Sequence, residues 1–85
     1  MTTTVHIKYF ASIREALGIG AETVETVAST VEGLRDELIA RGGVYADSLA
    51  RGKAVRVAIN QTLALETAAL VEGAEVAFFP PVTGG

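Results

Sequence analysis

Three features of this 85-residue sequence predict an α+β fold. Strand-like alternation stands near both ends of the chain. A single long stretch between them carries apolar residues at helical spacing. Glycines and a tight-turn dipeptide punctuate the joins.

Residues 5–10 alternate, with Val5, Ile7 and Tyr9 on one side and His6, Lys8 and Phe10 on the other, as in a half-buried strand. Residues 11–17 have the composition of about two helical turns, closed by Gly18 and Gly20. A second strand over residues 22–28 is rich in Thr and Val, and its facing stays open. It pairs most simply as an antiparallel hairpin with the first.

Ser29 or Thr30 then caps the long helix, and Ser29 with Glu32 has capping-box spacing. Val31, Leu34, Leu38 and Ile39 form one apolar stripe. Glu32, Arg35, Asp36 and Arg41 lie off that stripe and read as a solvated face. Gly33 inside the helix costs about 1 kcal/mol relative to Ala. Gly42-Gly43 ends it, and residues 45–51 read as a helical turn or a loop.

Residues 55–60 give the clearest strand, with Val55, Val57 and Ile59 facing one way. Asn60-Gln61 is a tight turn into a short partner strand over 62–65. After a connection over 66–72, Gly73 opens the last strand. There Ala74, Val76 and Phe78 oppose Glu75, Ala77 and Phe79. The order ββαβ(β)β, with one main helix to cover one face of a mixed sheet plus short helical turns, is that of a β-grasp, or ubiquitin-like, fold.

Proline cannot donate to a sheet ladder, so pairing must stop at Pro80. Residues 1–79 are thus read as the domain, and residues 80–85 (Pro80, Pro81, Val82, Thr83, Gly84, Gly85) as an extended arm. Such an arm reaches at most roughly 20 Å.

Composition narrows the function classes. The chain is 49% apolar and 20% charged, which suits a globular domain. Net charge is −3 with seven unclustered Lys and Arg, which argues against nucleic acid. Cysteine is absent, removing disulfides, thiolate catalysis and zinc-thiolate sites. Neither a signal-like N-terminus nor an apolar run long enough to span a membrane is present, so a soluble, cytoplasmic protein is expected.

Reactive groups are correspondingly few. His6 is the only histidine, and no nucleophile or carboxylate is placed to use it. No metal-ligand spacing or phosphate loop occurs, so no bound metal or cofactor is expected. Ser12, Ser29 and Ser48 read as caps and turns. The distinctive group left is the Gly85 carboxylate. With a reference pKa of about 3.3–3.7 it is ionised at neutral pH and a poor electrophile. It must be activated before it can react, and ATP is the usual source of a leaving group. Gly84 and Gly85 lack Cβ atoms, so a narrow tunnel in another protein can close around them. The chain reads as a substrate rather than an enzyme.

Parity also singles out a surface. On the sheet face away from the helix, His6, Lys8, Arg56 and Glu75 are polar, but Phe10 and Phe79 are not. In a β-grasp sheet the first and last strands are parallel neighbours, which sets these two rings side by side where the arm departs. Leu63 is placed to extend them. Either overlying loops cover the rings as secondary core, or they form an exposed apolar patch of the kind that marks a partner surface. The second reading is preferred.

The segment 75–85, ending Phe78-Phe79-Pro80-Pro81-Val82-Thr83-Gly84-Gly85, resembles the MoaD family, the small sulfur-carrier subunits of molybdopterin synthase. Asn60-Gln61-Thr62-Leu63, Thr30-Val31-Glu32-Gly33-Leu34-Arg35 and Tyr9-Phe10-Ala11 carry the resemblance through the rest of the chain, residues 42–52 least. It implies a β-grasp fold and a non-catalytic role. A MoeB-like E1-type enzyme, using ATP and Mg²⁺, would adenylate Gly85, and a sulfur donor would convert it to a thiocarboxylate. The tail would enter a MoaE-like large subunit and give up sulfur to cyclic pyranopterin monophosphate, within a heterotetramer. The resemblance also implies that Phe10, Leu63 and Phe79 contact partners. Sulfur carriers for thiazole, cysteine or tRNA thiolation, ubiquitin-like modifiers and non-covalent adaptors are the rival readings.

Overall fold

The structure is a computed structural model describing residues 2–81. Eight elements follow in order: β1 (Thr3–Tyr9), α1 (Ala11–Leu17), β2 (Ala21–Thr26), α2 (Val31–Ile39), α3 (Gly43–Leu49), β3 (Arg56–Ile59), β4 (Thr62–Ala64) and β5 (Glu75–Phe79). The strands form one sheet in the order β2-β1-β5-β3-β4. β1 and β5 run parallel, and the remaining neighbours are antiparallel. The β-grasp architecture is thus present, with the last described strand at the centre of the sheet.

One face of the sheet carries the core. Val5, Ile7 and Tyr9 of β1, Val57 of β3, and Val76 and Phe78 of β5 are all buried against Val31, Leu34 and Leu38 of α2. The tyrosine is held between aromatics, stacked on Phe78 with ring centres 6.3 Å apart and edge-on to Tyr45 at 6.4 Å. In β2 the facing left open by the sequence is settled by Thr26, which is 1% exposed. Its hydroxyl accepts from the Ala28 amide at 3.0 Å, a local turn bond that ends the strand before Ala28.

Local signals explain the joins. Asn60 and Gln61 both take positive φ, +50° and +70°, the left-handed pair that a two-residue hairpin requires. Thr30, and not Ser29, caps α2, its Oγ1 accepting from the Gly33 amide at 3.3 Å. Gly33 is needed for space: a Cβ there would stand 2.9 Å from that of Ala28. The stretch left as turn or loop is α3, shorter at its C-terminal end than residue 51.

Arg35 is the main departure from expectation. Instead of lying on a solvated face it is 3% exposed. Its guanidinium donates from Nε to the Leu49 carbonyl (2.7 Å) and from Nη2 to those of Ala50 (2.7 Å) and Lys53 (3.2 Å). Nη1 pairs with Glu66 at 2.8 Å. Arg51 closes the network from outside, bonding Asp36, Glu66 and the Glu32 carbonyl. One side chain therefore ties the end of α3 and the 50–53 turn to α2, satisfying carbonyls no helix or ladder could reach.

A second polar cluster joins β2 to the helices. Glu22 accepts from Tyr9 and Tyr45, both at 2.8 Å, and from Arg41 at 2.9 Å. Arg41 also lies over the Tyr45 ring, 4.8 Å from its centre. Burial raises the Glu22 carboxyl, but the three donors together outweigh it and hold the group below the usual carboxylate range. Burial, then the bond to Glu22, pushes both tyrosine hydroxyls up.

Candidate functional site

The outer sheet face is built by strand register. Leu63 stands opposite Ala58, Ala58 opposite Ala77, and Ala77 opposite Lys8, giving one row across four strands. In the next row Arg56 faces Phe79. Tyr9 pairs with Phe78, so Phe10 follows directly beside Phe79. The Phe10 amide donates to the Phe78 carbonyl at 3.2 Å, which carries the pairing one step past β1.

Side-chain size then shapes the surface. Leu63 is 72% exposed and Phe10 46%, while Phe79, beside Phe10, is half-buried. Ala58 and Ala77 face outward by register yet are only 9% and 6% exposed. The two alanines thus form a low apolar patch between Leu63 on one side and Lys8 on the other. Leu65, just past β4, is 76% exposed and adds to this side. An exposed apolar cluster of this kind on a small domain is unusual unless another surface covers it.

Charge divides the face. Away from the rings, Lys8 pairs with Glu75 at 3.3 Å, and His6 shares a 3.0 Å hydrogen bond with Thr23. Near them, Arg56 makes no ion pair among the described residues and gives the apolar cluster a positive edge.

The three residues singled out from the sequence, Phe10, Leu63 and Phe79, therefore share one face and one end of the sheet. Pro80 and Pro81 follow directly, both half-buried. Val82, Thr83, Gly84 and Gly85 lie outside the described residues. Ala58, Ala77 and Leu65 were missed as part of the face. Their signal was present: parity places both alanines where the strands otherwise carry polar residues.

The turn that aims Phe10 outward is strained. Phe10 is extended (φ −129°), and Ala11 at once takes φ +52° to start α1. A positive φ costs a non-glycine residue roughly 1–2 kcal/mol. Beside Pro80, α1, α3 and the 53–55 segment enclose a shallow groove of about 330 Å³. Ser12, Ile13, Asp47, Lys53 and Val55 are among the residues that line it. Among the described residues no group of three or more His, Asp or Glu is gathered to hold a metal, and no helix is long and apolar enough to cross a membrane.

Comparison with known proteins places this geometry. The ThiS family matches residues 7–85. The molybdopterin synthase sulfur carrier subunits of Haemophilus influenzae and Escherichia coli are each 43% identical over 81 residues, covering 95% of this chain and 99% of theirs. The crystal structure of SAMP1 from Haloferax volcanii has a TM-score of 0.74 at 27% identity, covering 96% of this chain and 99% of that one. In the complex of subunits 1 and 2 of the molybdopterin-converting factor from Helicobacter pylori, a chain 24% identical has a TM-score of 0.64, covering 98% of this chain and all of that one. The β-grasp fold, the near full-length match and the identity shared with two sulfur carriers agree: the chain belongs to the ThiS family, among the sulfur carrier subunits of molybdopterin synthase.

Proposed function

We propose that this protein carries sulfur on the Gly85 carboxyl and has no catalytic residue of its own. A MoeB-like enzyme, with ATP and Mg²⁺, joins the carboxylate to AMP and releases pyrophosphate. A sulfur donor then displaces AMP, leaving a thiocarboxylate. In a MoaE-like large subunit the sulfur passes to cyclic pyranopterin monophosphate, and water restores the carboxylate. The two partners supply the chemistry; this chain supplies the acyl group and the surface they grip.

One observation carries the reading. Exposed Phe10 stands beside Phe79 at the sheet end from which the chain passes into Pro80-Pro81, with exposed Leu63 on the same face two strands away. A partner covering that apolar face lies beside Pro80. Arg56 favours an acidic rim on it. The two-subunit complex from Helicobacter pylori supports a second-subunit partner, and the assembly we propose holds two copies of each.

Removing Gly84-Gly85 tests this. The shortened protein is expected to fold as before, with no thiocarboxylate formed on incubation with the activating enzyme, ATP and a sulfur donor. Mass spectrometry on the full chain should show one oxygen exchanged for sulfur. Full sulfur transfer by the shortened protein overturns the proposal. Recovery of Gly85 in isopeptide linkage to lysines of other proteins favours a modifier instead.

A further inference from the structure

The backbone of β5 turns its hydrogen-bonding groups to its two neighbours in alternation. On the β1 side, His6 donates to the Ala74 carbonyl (2.8 Å) and Phe10 to that of Phe78 (3.2 Å). On the β3 side, Asn60 donates to the Glu75 carbonyl (2.8 Å). Even-numbered residues of this segment thus face β1, and odd-numbered ones face β3. Carried forward, position 80 faces β1 and position 81 faces the segment before β3. Both are proline, and neither can donate.

The two sides are not equivalent. A donor at position 80 would seek the Phe10 carbonyl, but that oxygen already accepts from Ile13 (3.2 Å) and Arg14 (3.3 Å) as α1 begins. A donor at position 81 would meet Ala54, since the pairing of Arg56 with Phe79 sets Val55 against Pro80 and Ala54 against Pro81. Ala54 has no backbone hydrogen bond among the described residues. The loss of that donor also explains why β3 begins at Arg56 and not at Val55. Residues 53–55 form one wall of the groove beside Pro80. A ladder continued through position 81 would run along that wall.

We propose that Pro81 is a ladder stop that keeps the residues after β5 from pairing along 53–55, whereas Pro80 faces a side α1 has already closed. The consequence for partner access rests on the sulfur-carrier reading; the pairing itself does not. Substituting Pro81→Ala and Pro80→Ala in the full chain, with amide exchange followed by NMR, separates the roles. The new amide at position 81 is expected to exchange at least about tenfold more slowly than an unstructured amide, and the one at 80 at nearly the unstructured rate. Continued protection of the Ile7 and Val76 amides confirms that each variant folds. An unprotected amide at 81 in a folded Pro81→Ala variant overturns the proposal.

Charging by the activating enzyme gives the second readout. If nine in ten molecules pair their tails, the carrier concentration for half-maximal charging rises about tenfold, since only the unpaired fraction is competent. Protection at 81 with unchanged charging overturns the link to partner access. Failure of the unsubstituted chain to be charged counts against the sulfur-carrier reading and leaves the exchange result standing.

Discussion

Two parts of this small domain handle polarity in opposite ways. On the helix side, Arg35 and Glu22 are drawn in, and their hydrogen-bonding groups find partners. No buried side-chain nitrogen or oxygen among the described residues lacks a hydrogen bond. On the outer sheet face, Leu63 and Phe10 stand in solvent. The first region is complete within the chain. The second leaves apolar side chains uncovered. The proposed function therefore assigns stability and recognition to different faces, and substitutions should separate them.

Phe78 and Phe79 give the widest contrast, because adjacent residues point to opposite faces. Phe78→Ala should cost about 3–5 kcal/mol of stability in urea unfolding, as expected for a fully buried ring. Phe79→Ala should cost under about 1.5 kcal/mol of stability but weaken binding to the large subunit by about 2 kcal/mol, roughly 30-fold, in calorimetry. A Phe79 variant that loses mainly stability would assign that ring to the core.

Arg35→Ala comes next. It leaves the carbonyls of Leu49 and Lys53 without their donor, the Ala50 carbonyl with only the Lys53 amide, and Glu66 without its buried partner, for an expected loss of about 3 kcal/mol. Arg51→Ala, on the exposed side of the same network, should cost under about 1 kcal/mol in the same unfolding experiment. Equal losses would show that the network works as a surface cluster.

The smallest effect concerns pH. Because the Glu22 carboxyl is held below its ordinary value in the folded state, its stabilising contribution is present above about pH 4.5 and is lost as pH falls through the lowered value. Unfolding titrations below pH 5 should show a shallower acid limb in Glu22→Gln than in the unsubstituted protein. Identical limbs would remove Glu22 from the acid response.

These contrasts also mark how far the sequence could be read. Strand alternation and the turn at Asn60-Gln61 located the sheet, because both are local. The same parity brought Phe10, Leu63 and Phe79 to one face, since register depends only on counting once the neighbours are known. Arg35 was not legible as a buried residue. Its burial depends on carbonyls 14 to 18 positions away, and no helical wheel contains them. Glu22 was hidden for the same reason, since Tyr45 reaches it from a segment whose structure the sequence left undecided. The outward-facing alanines were visible to parity but not recognised, because small residues carry little signal by themselves.

The parallel pairing of β1 with β5 has a consequence for quality control. Phe10 and Phe79 lie 69 positions apart in the chain, and only that pairing makes them neighbours. Long-range parallel pairing is late and slow to form. If, as proposed, a partner touches both rings, it would engage only the completed domain. On the proposed reading, a chain that is unfinished, misfolded or clipped within β5 would offer the rings singly and would not be charged with sulfur.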